Sequence, residues 1–107
     1  MILERAMVEV RPGTGTAFEA AVGRGAPIVA ASPGFMSLAL HRCIERADRY
    51  LLLIEWETVE DHTVGFRGSD AFPRWRAEIG PYLDGDPDVE HYSDVGIRLE
   101  SGSSTSD

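Results

Sequence analysis

Lysine is absent from this 107-residue sequence, and all ten of its basic residues are arginine. A Schiff base with a carbonyl substrate or with pyridoxal phosphate needs a lysine amine, so the composition excludes that chemistry. Cysteine is nearly absent, because Cys43 is the only one. A single cysteine excludes an intramolecular disulfide and is typical of a protein from a reducing compartment. We interpret Cys43 as a small buried hydrophobic residue of a strand.

Long hydrophobic runs and an excess of positive charge are also missing. No segment approaches the ~18 consecutive apolar residues that a membrane-spanning helix needs. Glu4 and Glu9 interrupt the stretch where a signal peptide would have its apolar region. Ten arginines against 18 acidic residues give a net charge of −8, which repels nucleic acids and anionic lipids. We therefore expect a cytoplasmic protein without a nucleic-acid or membrane partner.

The pattern of apolar and turn residues predicts one domain over residues 1–100 and a disordered polar tail over residues 101–107. Thr16 and Glu19 have the spacing of a capping box at the start of a first helix. Thr58, followed by Asp61, and then Ser69 predict the starts of two further short helices. Alternating apolar residues predict four strands, over 2–11, 35–44, 50–57 and 89–95.

The predicted order of strand, helix, strand, strand, broken helix and strand is that of a ferredoxin-like α+β fold with a four-stranded antiparallel sheet. In this fold the helices cover only one face of the sheet. The strand at 50–57 is apolar on both of its faces, so both faces need to be covered. We predict an obligate homodimer in which the open face meets a second copy through Met36, Leu38, Leu40, Leu51 and Leu53.

Each of the two short helices carries one polar residue within an apolar stripe. By spacing, His62 shares a helix face with Val59 and Phe66, and Arg76 shares one with Phe72 in the next helix. Two polar side chains directed toward one interior predict a lined pocket between the sheet and the helices. The alternative is that both residues lie at the edges of the stripes and extend their polar ends into solvent.

A more specific pattern runs through residues 51–76. The run Leu-Leu-Leu-Ile-Glu-Trp at 51–56 is followed by His62, Gly65-Phe66-Arg67, Ser69, Phe72 and Trp75-Arg76. In these residues the chain resembles the antibiotic biosynthesis monooxygenase family, and the resemblance extends over about residues 2–95. It implies a dimeric α+β barrel. It also implies oxygenation of small aromatic substrates by molecular oxygen alone, without metal, flavin or haem.

The resemblance assigns family positions to individual residues. The best understood family pockets use an Asn and a Trp on the third strand, a Tyr on the first short helix and an Arg on the second. Trp56 and Arg76 match two of these positions, whereas His62 stands at the Tyr position and Leu52 at the Asn position. Histidine can replace tyrosine as a hydrogen-bonding or proton-accepting group, but leucine has no amide. Relatives that degrade haem need a His near position 76 and an Asn on the first strand, and this sequence contains no Asn.

From the resemblance and the placement of the polar residues, we expect His62 to accept a proton from a phenol, anthrone or quinol. Arg76 would stabilise the resulting anion, and Trp56 completes the expected catalytic set. The expected substrate contacts are Leu52, Phe66, Phe72, Trp75 and Tyr82. We expect no cofactor and no metal site, because His41, His62 and His91 lie on separate predicted elements without the spacing of a metal site.

Two other readings fit the same residues. A cyclase or isomerase on this scaffold would need only a base, His62, and an enolate-stabilising group, Arg76, without oxygen. A non-catalytic ligand-binding dimer would use His62 and Arg76 as a buried polar pair. Oxygen uptake separates the oxygenase from the isomerase. A pocket too small for an aromatic ring would favour the binding protein.

Overall fold

A four-stranded antiparallel sheet with helices on one face forms the part of the chain that the computed structural model describes, residues 1–102. The strands are β1 Ile2–Glu9, β2 Phe35–Arg42, β3 Arg49–Trp56 and β4 Asp88–Ser93. The helical elements are α1 Gly15–Ala30, a π-helix Asp61–Phe66, α2 Ala71–Ile79 and a 3-10 turn Gly80–Tyr82. This order confirms the ferredoxin-like α+β fold with its second helix broken in two.

The strand order is β2-β3-β1-β4, so β1 and β3 are central and β2 and β4 are edge strands. All three strand pairs are antiparallel. Glu4 of β1 lies opposite Ile54 of β3 on one side and opposite His91 of β4 on the other. Because residues directly opposite one another point to the same face of a sheet, this register decides which side chains meet beneath the helices.

The two faces of the sheet differ in how well they are covered. We call the face under the helices the inner face and the opposite one the outer face. Leu51 and Leu53 of β3 are half-buried on the outer face. The alternate residues of β3 are buried on the inner face: Tyr50, Leu52, Ile54 and Trp56. The expectation that β3 is apolar on both faces is therefore confirmed.

The predicted open face contains fewer apolar residues of β2 than expected. Leu38 lies opposite Ile54 and Leu40 opposite Leu52, which places both on the inner face. Their assignment to the outer face was wrong because the register of β2 shifts between its first residue and Ser37. A bulge adds one residue and thereby reverses the alternation that follows it.

The helix starts follow the predictions in part. Helix α1 begins at Gly15 after Thr14, so the predicted capping box at Thr16 is wrong. The carboxylate of Glu19 instead accepts a hydrogen bond from the Tyr50 hydroxyl at 2.6 Å.

The cap before the π-helix is confirmed. The Thr58 N–H donates to the Asp61 carboxylate, and the Asp61 N–H donates to the Thr58 hydroxyl, each at 3.1 Å. Ser69 also acts at the next helix start, since its hydroxyl accepts from the Ala71 N–H at 3.2 Å.

Three further predictions concern Cys43, the C-terminal tail and the absence of a membrane-spanning helix. Cys43 follows β2 rather than lying within it, and its thiol is half-buried and free. Most of the predicted tail at 101–107 falls outside the described residues. Within residues 1–102, no helix is long and apolar enough to cross a membrane.

Candidate active site

A cavity of about 390 Å³ lies between the inner face of the sheet and the helical layer. Its apolar wall includes Leu52, Ile54, Phe66, Phe72, Trp75 and Ile79. Its polar groups are Glu4, His62, Arg67, Arg76 and Asp86. Glu4 and His62 are buried, whereas Arg67 and Asp86 are exposed. The polar groups therefore extend from the interior of the protein to the solvent side of the cavity.

Glu4 is a carboxylate on the buried face of a central strand. It lies on the same parity of β1 as Ala6 and Val8, and only 5% of its surface is exposed. Its Oε1 accepts a hydrogen bond from the Trp56 indole N–H at 3.0 Å. Burial raises the pKa of the Glu4 carboxyl group, and the indole hydrogen bond and the positive charge of Arg67 only partly offset this rise. Glu4 is thus held in an environment that favours uptake of a proton.

His62 lies beside Glu4, with its Nε2 at 3.4 Å from Glu4 Oε1. Its ring stacks on the Trp56 indole, with 5.6 Å between ring centroids and 19° between planes. Burial, with smaller contributions from Arg67 and His91, lowers the pKa of His62 to about 4. His62 is therefore neutral at neutral pH, and its contact with Glu4 is not an ion pair.

His91 of β4 completes this polar group. Its Nε2 lies 2.8 Å from Nδ1 of His62, a hydrogen bond in which one ring donates and the other accepts. Burial and the charge of Arg67 lower the pKa of His91 as well. The contact arises because His91 lies opposite Glu4 in the β1–β4 register, on the inner face. We call Glu4, His62 and His91 the inner polar cluster.

Two arginines line the cavity without an acidic partner among the described residues. Neither Arg67 nor Arg76 forms an ion pair within residues 1–102. The Arg76 guanidinium lies 5.9 Å from the centroid of the Phe72 ring, in a cation–π arrangement. Both guanidinium groups are thus available to an anion that enters the cavity.

The structure separates the predicted site residues into two groups. Six of them line the cavity, namely His62, Arg76, Leu52, Phe66, Phe72 and Trp75. Trp56 does not, because it is completely buried behind His62. Tyr82 also lies outside the cavity lining, on the 3-10 turn that follows α2. The catalytic role of Trp56 and the substrate contact of Tyr82 therefore stay predictions without a place in the cavity wall. The polar contacts of His62 are with Glu4 and His91.

Sequence reasoning missed Glu4, Arg67 and His91. The sequence did contain a signal for Glu4. It is a carboxylate on the same side of the first strand as Ala6 and Val8, where apolar residues are expected. The sequence contained no signal for His91, because strand register places it opposite Glu4 and register cannot be read from spacing. His41 is exposed on β2, opposite Leu51 of the outer face. Within residues 1–102, no group of three or more His, Cys, Asp and Glu side chains is arranged to hold a metal ion.

Comparisons of the sequence and the fold with known proteins identify relatives of this chain. The family model for antibiotic biosynthesis monooxygenase matches residues 1–78. The uncharacterized protein YczJ of Bacillus subtilis is 42% identical over 95 residues, which cover 89% of this chain and all of the relative. A Bordetella bronchiseptica structure assigned to the same family is 40% identical, with a TM-score of 0.86 and coverage of 88% of this chain and 96% of the other.

A more distant structure shares the fold alone. SnoaB of Streptomyces nogalater, described as a cofactor-independent oxygenase, is 18% identical to this chain. Its TM-score is 0.75, and the match covers 92% of this chain and 97% of the other.

Proposed function

The chain belongs to the antibiotic biosynthesis monooxygenase family, and we propose that it oxidises a small aromatic substrate with molecular oxygen, without metal, flavin or haem. The substrate would be a phenol, an anthrone or a quinol. One observation carries this proposal: a buried carboxylate and a neutral imidazole share a cavity with two guanidinium groups that have no acidic partner among residues 1–102.

The size and lining of the cavity support an aromatic substrate. A volume of about 390 Å³ falls at the lower end of the ~300–1,000 Å³ of small-molecule sites. Phe66, Phe72 and Trp75 offer aromatic faces and edges against which a planar ring can pack. Leu52 adds an aliphatic wall. The cavity is therefore suited to a flat molecule of two or three fused rings rather than to a sugar or a peptide.

The first proposed step is removal of a proton from the substrate. The Glu4–His62 pair accepts this proton, because Glu4 is the buried carboxylate that lines the cavity and His62 is neutral at neutral pH. Arg76 and Arg67 stabilise the resulting enolate or phenolate, since a positive charge at a partly desolvated cavity favours the anion. Trp56 acts as a positioning residue through its hydrogen bond to Glu4 and its stacking on His62.

The second proposed step uses oxygen. The electron-rich anion passes one electron to molecular oxygen, and the resulting substrate radical and superoxide combine to form a carbon–oxygen bond. With an anthrone, the peroxide takes up a proton, its oxygen–oxygen bond breaks, and water leaves as the ring carbonyl forms. One oxygen atom ends in the quinone and the other in water. The substrate supplies all the electrons.

The test is oxygen uptake by purified, metal-free protein with a panel of anthrones, naphthols and hydroquinones. We expect one oxygen molecule consumed per quinone formed from an anthrone, with one atom of labelled oxygen in the product. Hydrogen peroxide as the product would contradict oxygenation, and so would failure of every compound to consume oxygen.

A cyclase or isomerase is the second candidate, and the inner polar cluster is the observation that favours it. Proton transfer through Glu4 and His62 needs no oxygen. Conversion of a polyketide-like substrate under anaerobic conditions would support this candidate over the first.

We also propose that the protein is a homodimer that pairs through the outer face. Four apolar residues of that face are half-buried with no helix over them, namely Leu3, Met7, Leu51 and Leu53. After β4, three alternate residues are exposed by 79%, 87% and 97%, namely Val95, Ile97 and Leu99. In a closed dimer these surfaces cover one another.

Sedimentation of the wild-type protein should therefore give twice the mass of one chain. Replacing Val95, Ile97 and Leu99 together by serine should shift the equilibrium toward the monomer, whereas Arg98→Ala should not. A wild-type monomer at micromolar concentration would contradict the proposal.

A cytoplasmic location without a nucleic-acid partner is also proposed. The free Cys43 thiol fits a reducing compartment, and a net charge of −8 disfavours nucleic acids. Cell fractionation with a periplasmic marker tests the location.

A further inference from the structure

We propose that Glu4, His62 and His91 form a proton relay between the cavity and the protein surface at edge strand β4. Glu4 lines the cavity, His62 is the buried link, and the half-buried His91 is the outer end. The inference rests on the proposed function, because the relay moves the proton that the substrate releases. It adds a role for His91, which does not line the cavity and acts only through His62.

His62 can connect Glu4 to His91 because each of its two ring nitrogens lies next to one of them. Nε2 faces Glu4 Oε1 at 3.4 Å, and Nδ1 contacts His91 Nε2 at 2.8 Å. A neutral imidazole has one donor nitrogen and one acceptor nitrogen. The donor and acceptor nitrogens along the cluster must therefore all face one direction, either toward Glu4 or away from it, with a hydrogen bond between the two rings and a 3.4 Å contact between His62 and Glu4.

These two directions correspond to the two protonation states of Glu4. With Glu4 ionised, His62 Nε2–H faces the Glu4 carboxylate and His91 Nε2–H donates to His62 Nδ1. With Glu4 protonated, the opposite tautomers apply. A proton then passes from Glu4 to His62 Nε2, another leaves His62 Nδ1 for His91 Nε2, and a third leaves His91 Nδ1 for water. Each ring gains one proton and loses one, so the step needs no oxidant or reductant. Each ring ends in its other tautomer and must return to the first one before the next proton can pass.

The surroundings of His62 favour transfer over storage of the proton. The charged or titratable groups that face it are Glu4 from β1, His91 from β4 and Arg67 from the end of its own helical segment. Trp56, from β3, is uncharged. Burial, together with the positive charge of Arg67, lowers the pKa values of both histidines, so neither ring retains an extra proton at neutral pH.

The position of His91 provides the outlet. Among the described residues, strand β4 is at the edge of the sheet and pairs only with β1. His91 is therefore on the last strand between the buried His62 and solvent, and its ring centroid is 5.1 Å from that of His62. A proton on Glu4 has this route to water when a bound substrate fills the cavity.

The test compares His91→Gln with His41→Gln. Glutamine at 91 can still hydrogen-bond to His62, but it does not take up a proton at one atom while releasing one from another. With an oxygen-consuming substrate, we expect His91→Gln to lower kcat about tenfold or more at unchanged KM, and to raise the solvent deuterium isotope effect. His41→Gln, which replaces an exposed histidine that does not line the cavity, should keep the wild-type kcat and the wild-type sedimentation mass. Wild-type kcat in His91→Gln would overturn the relay.

A second readout does not depend on turnover. Nitrogen-15-edited NMR measures how fast the ring N–H of His62 exchanges with water. We expect His91→Gln to slow this exchange about tenfold, because the outlet is blocked. If no substrate consumes oxygen, the proposed function fails and the exchange rate still decides the relay. An exchange rate equal to that of wild type overturns the relay, even if kcat falls.

Discussion

Two pairs of residues on the same two strands have opposite chemistry. Glu4 lies opposite His91 on the inner face, and the adjacent residue Arg5 lies opposite Glu90 on the outer face. Burial raises the pKa of the inner carboxyl, Glu4. Hydrogen bonds from Tyr92 and Arg5 lower the pKa of the outer one, Glu90. A step of one residue along β1 and β4 thus separates a buried carboxyl group from an exposed ion pair.

The contrast shows that the environment, rather than the residue type, sets the role of each carboxylate. Both glutamates contact nitrogen donors on neighbouring strands. Glu90 is exposed, so water and Arg5 stabilise its charge. Glu4 is under the helices, where burial outweighs the indole hydrogen bond and the positive charge of Arg67, so its charged form is poorly solvated. Only the inner pair is equipped to exchange a proton with a ligand.

The largest difference between the two pairs is expected when each carboxylate is neutralised in turn. Glu4→Gln should lower kcat for oxygen uptake by about 10²–10⁴-fold, because it removes the proton acceptor while keeping the size of the side chain. Glu90→Gln is the matched control and should stay within a factor of about two of wild type, since it changes only an exposed pair. Steady-state oxygen-electrode rates measure both. Equal losses in the two variants would contradict the assignment.

The buried state of His62 makes stability depend on pH. The pKa of His62 is about 4 in the folded protein and 6.5 in the unfolded chain, so between these values the unfolded state binds more protons. The free energy of unfolding therefore rises with pH across this window, by about 3 kcal/mol from this residue. Urea unfolding of wild type and His62→Gln from pH 4 to 6.5 measures the effect.

Subtracting the His62→Gln values isolates the histidine. Glu4, whose raised pKa gives the opposite slope, is present in both proteins and largely cancels. A difference between the two proteins that stays constant from pH 4 to 6.5 would show that His62 is not buried in its neutral form.

Arg76 tests whether the cavity stabilises an anion. Arg76→Ala should lower kcat about a hundredfold, because it removes one positive group from the site of developing charge. Arg74→Ala is the control, since Arg74 is an exposed residue of the same helix that does not line the cavity. Turnover of both variants with the same quinol gives the comparison. An Arg76→Ala variant as active as Arg74→Ala would exclude an anion-stabilising role.

The smallest expected effects are changes in stability at two glycines of α1. One glycine packs against the interior and the other faces solvent. A Cβ at Gly25 would lie 2.6 Å from the ring of Trp75, a cavity residue, so Gly25→Ala should destabilise the fold by about 1–3 kcal/mol. A Cβ at Gly23 would meet nothing within 4 Å, so Gly23→Ala should stabilise it by about 0.5–1 kcal/mol. Thermal unfolding measures both. The same sign in both variants would contradict the packing of α1 on α2.

Sequence patterns predicted the architecture well because they are local. Alternation in β3 and the Thr58–Asp61 cap depend on residues close together in the chain, and the structure contains both. The register shift at the start of β2 could not be read this way, because a bulge leaves no distinct mark in the run from Phe35 to Arg42. This is why Leu38 and Leu40 were placed on the wrong face.

The polar part of the candidate site was predicted only where it lies on helices, and Leu52 is the one strand residue of the cavity wall that was predicted. His62 and Arg76 interrupt helical stripes, and that interruption indicated a pocket. Glu4 and His91 come from opposite ends of the chain and meet through strand pairing, which spacing does not reveal. Trp56 fits the family pattern, but the side chains packed around it decide that it lies behind His62 rather than against the cavity. The catalytic roles themselves stay predictions.

The central claim is that the inner face holds an imidazole in its neutral form beside a buried carboxylate. The most direct measurement is a pH titration of the His62 ring nitrogens by nitrogen-15 NMR, with the signals assigned through His62→Gln. His62 should keep a single protonated ring nitrogen from neutral pH down to about 4. A midpoint near 6.5, the value for an unperturbed histidine, would contradict it.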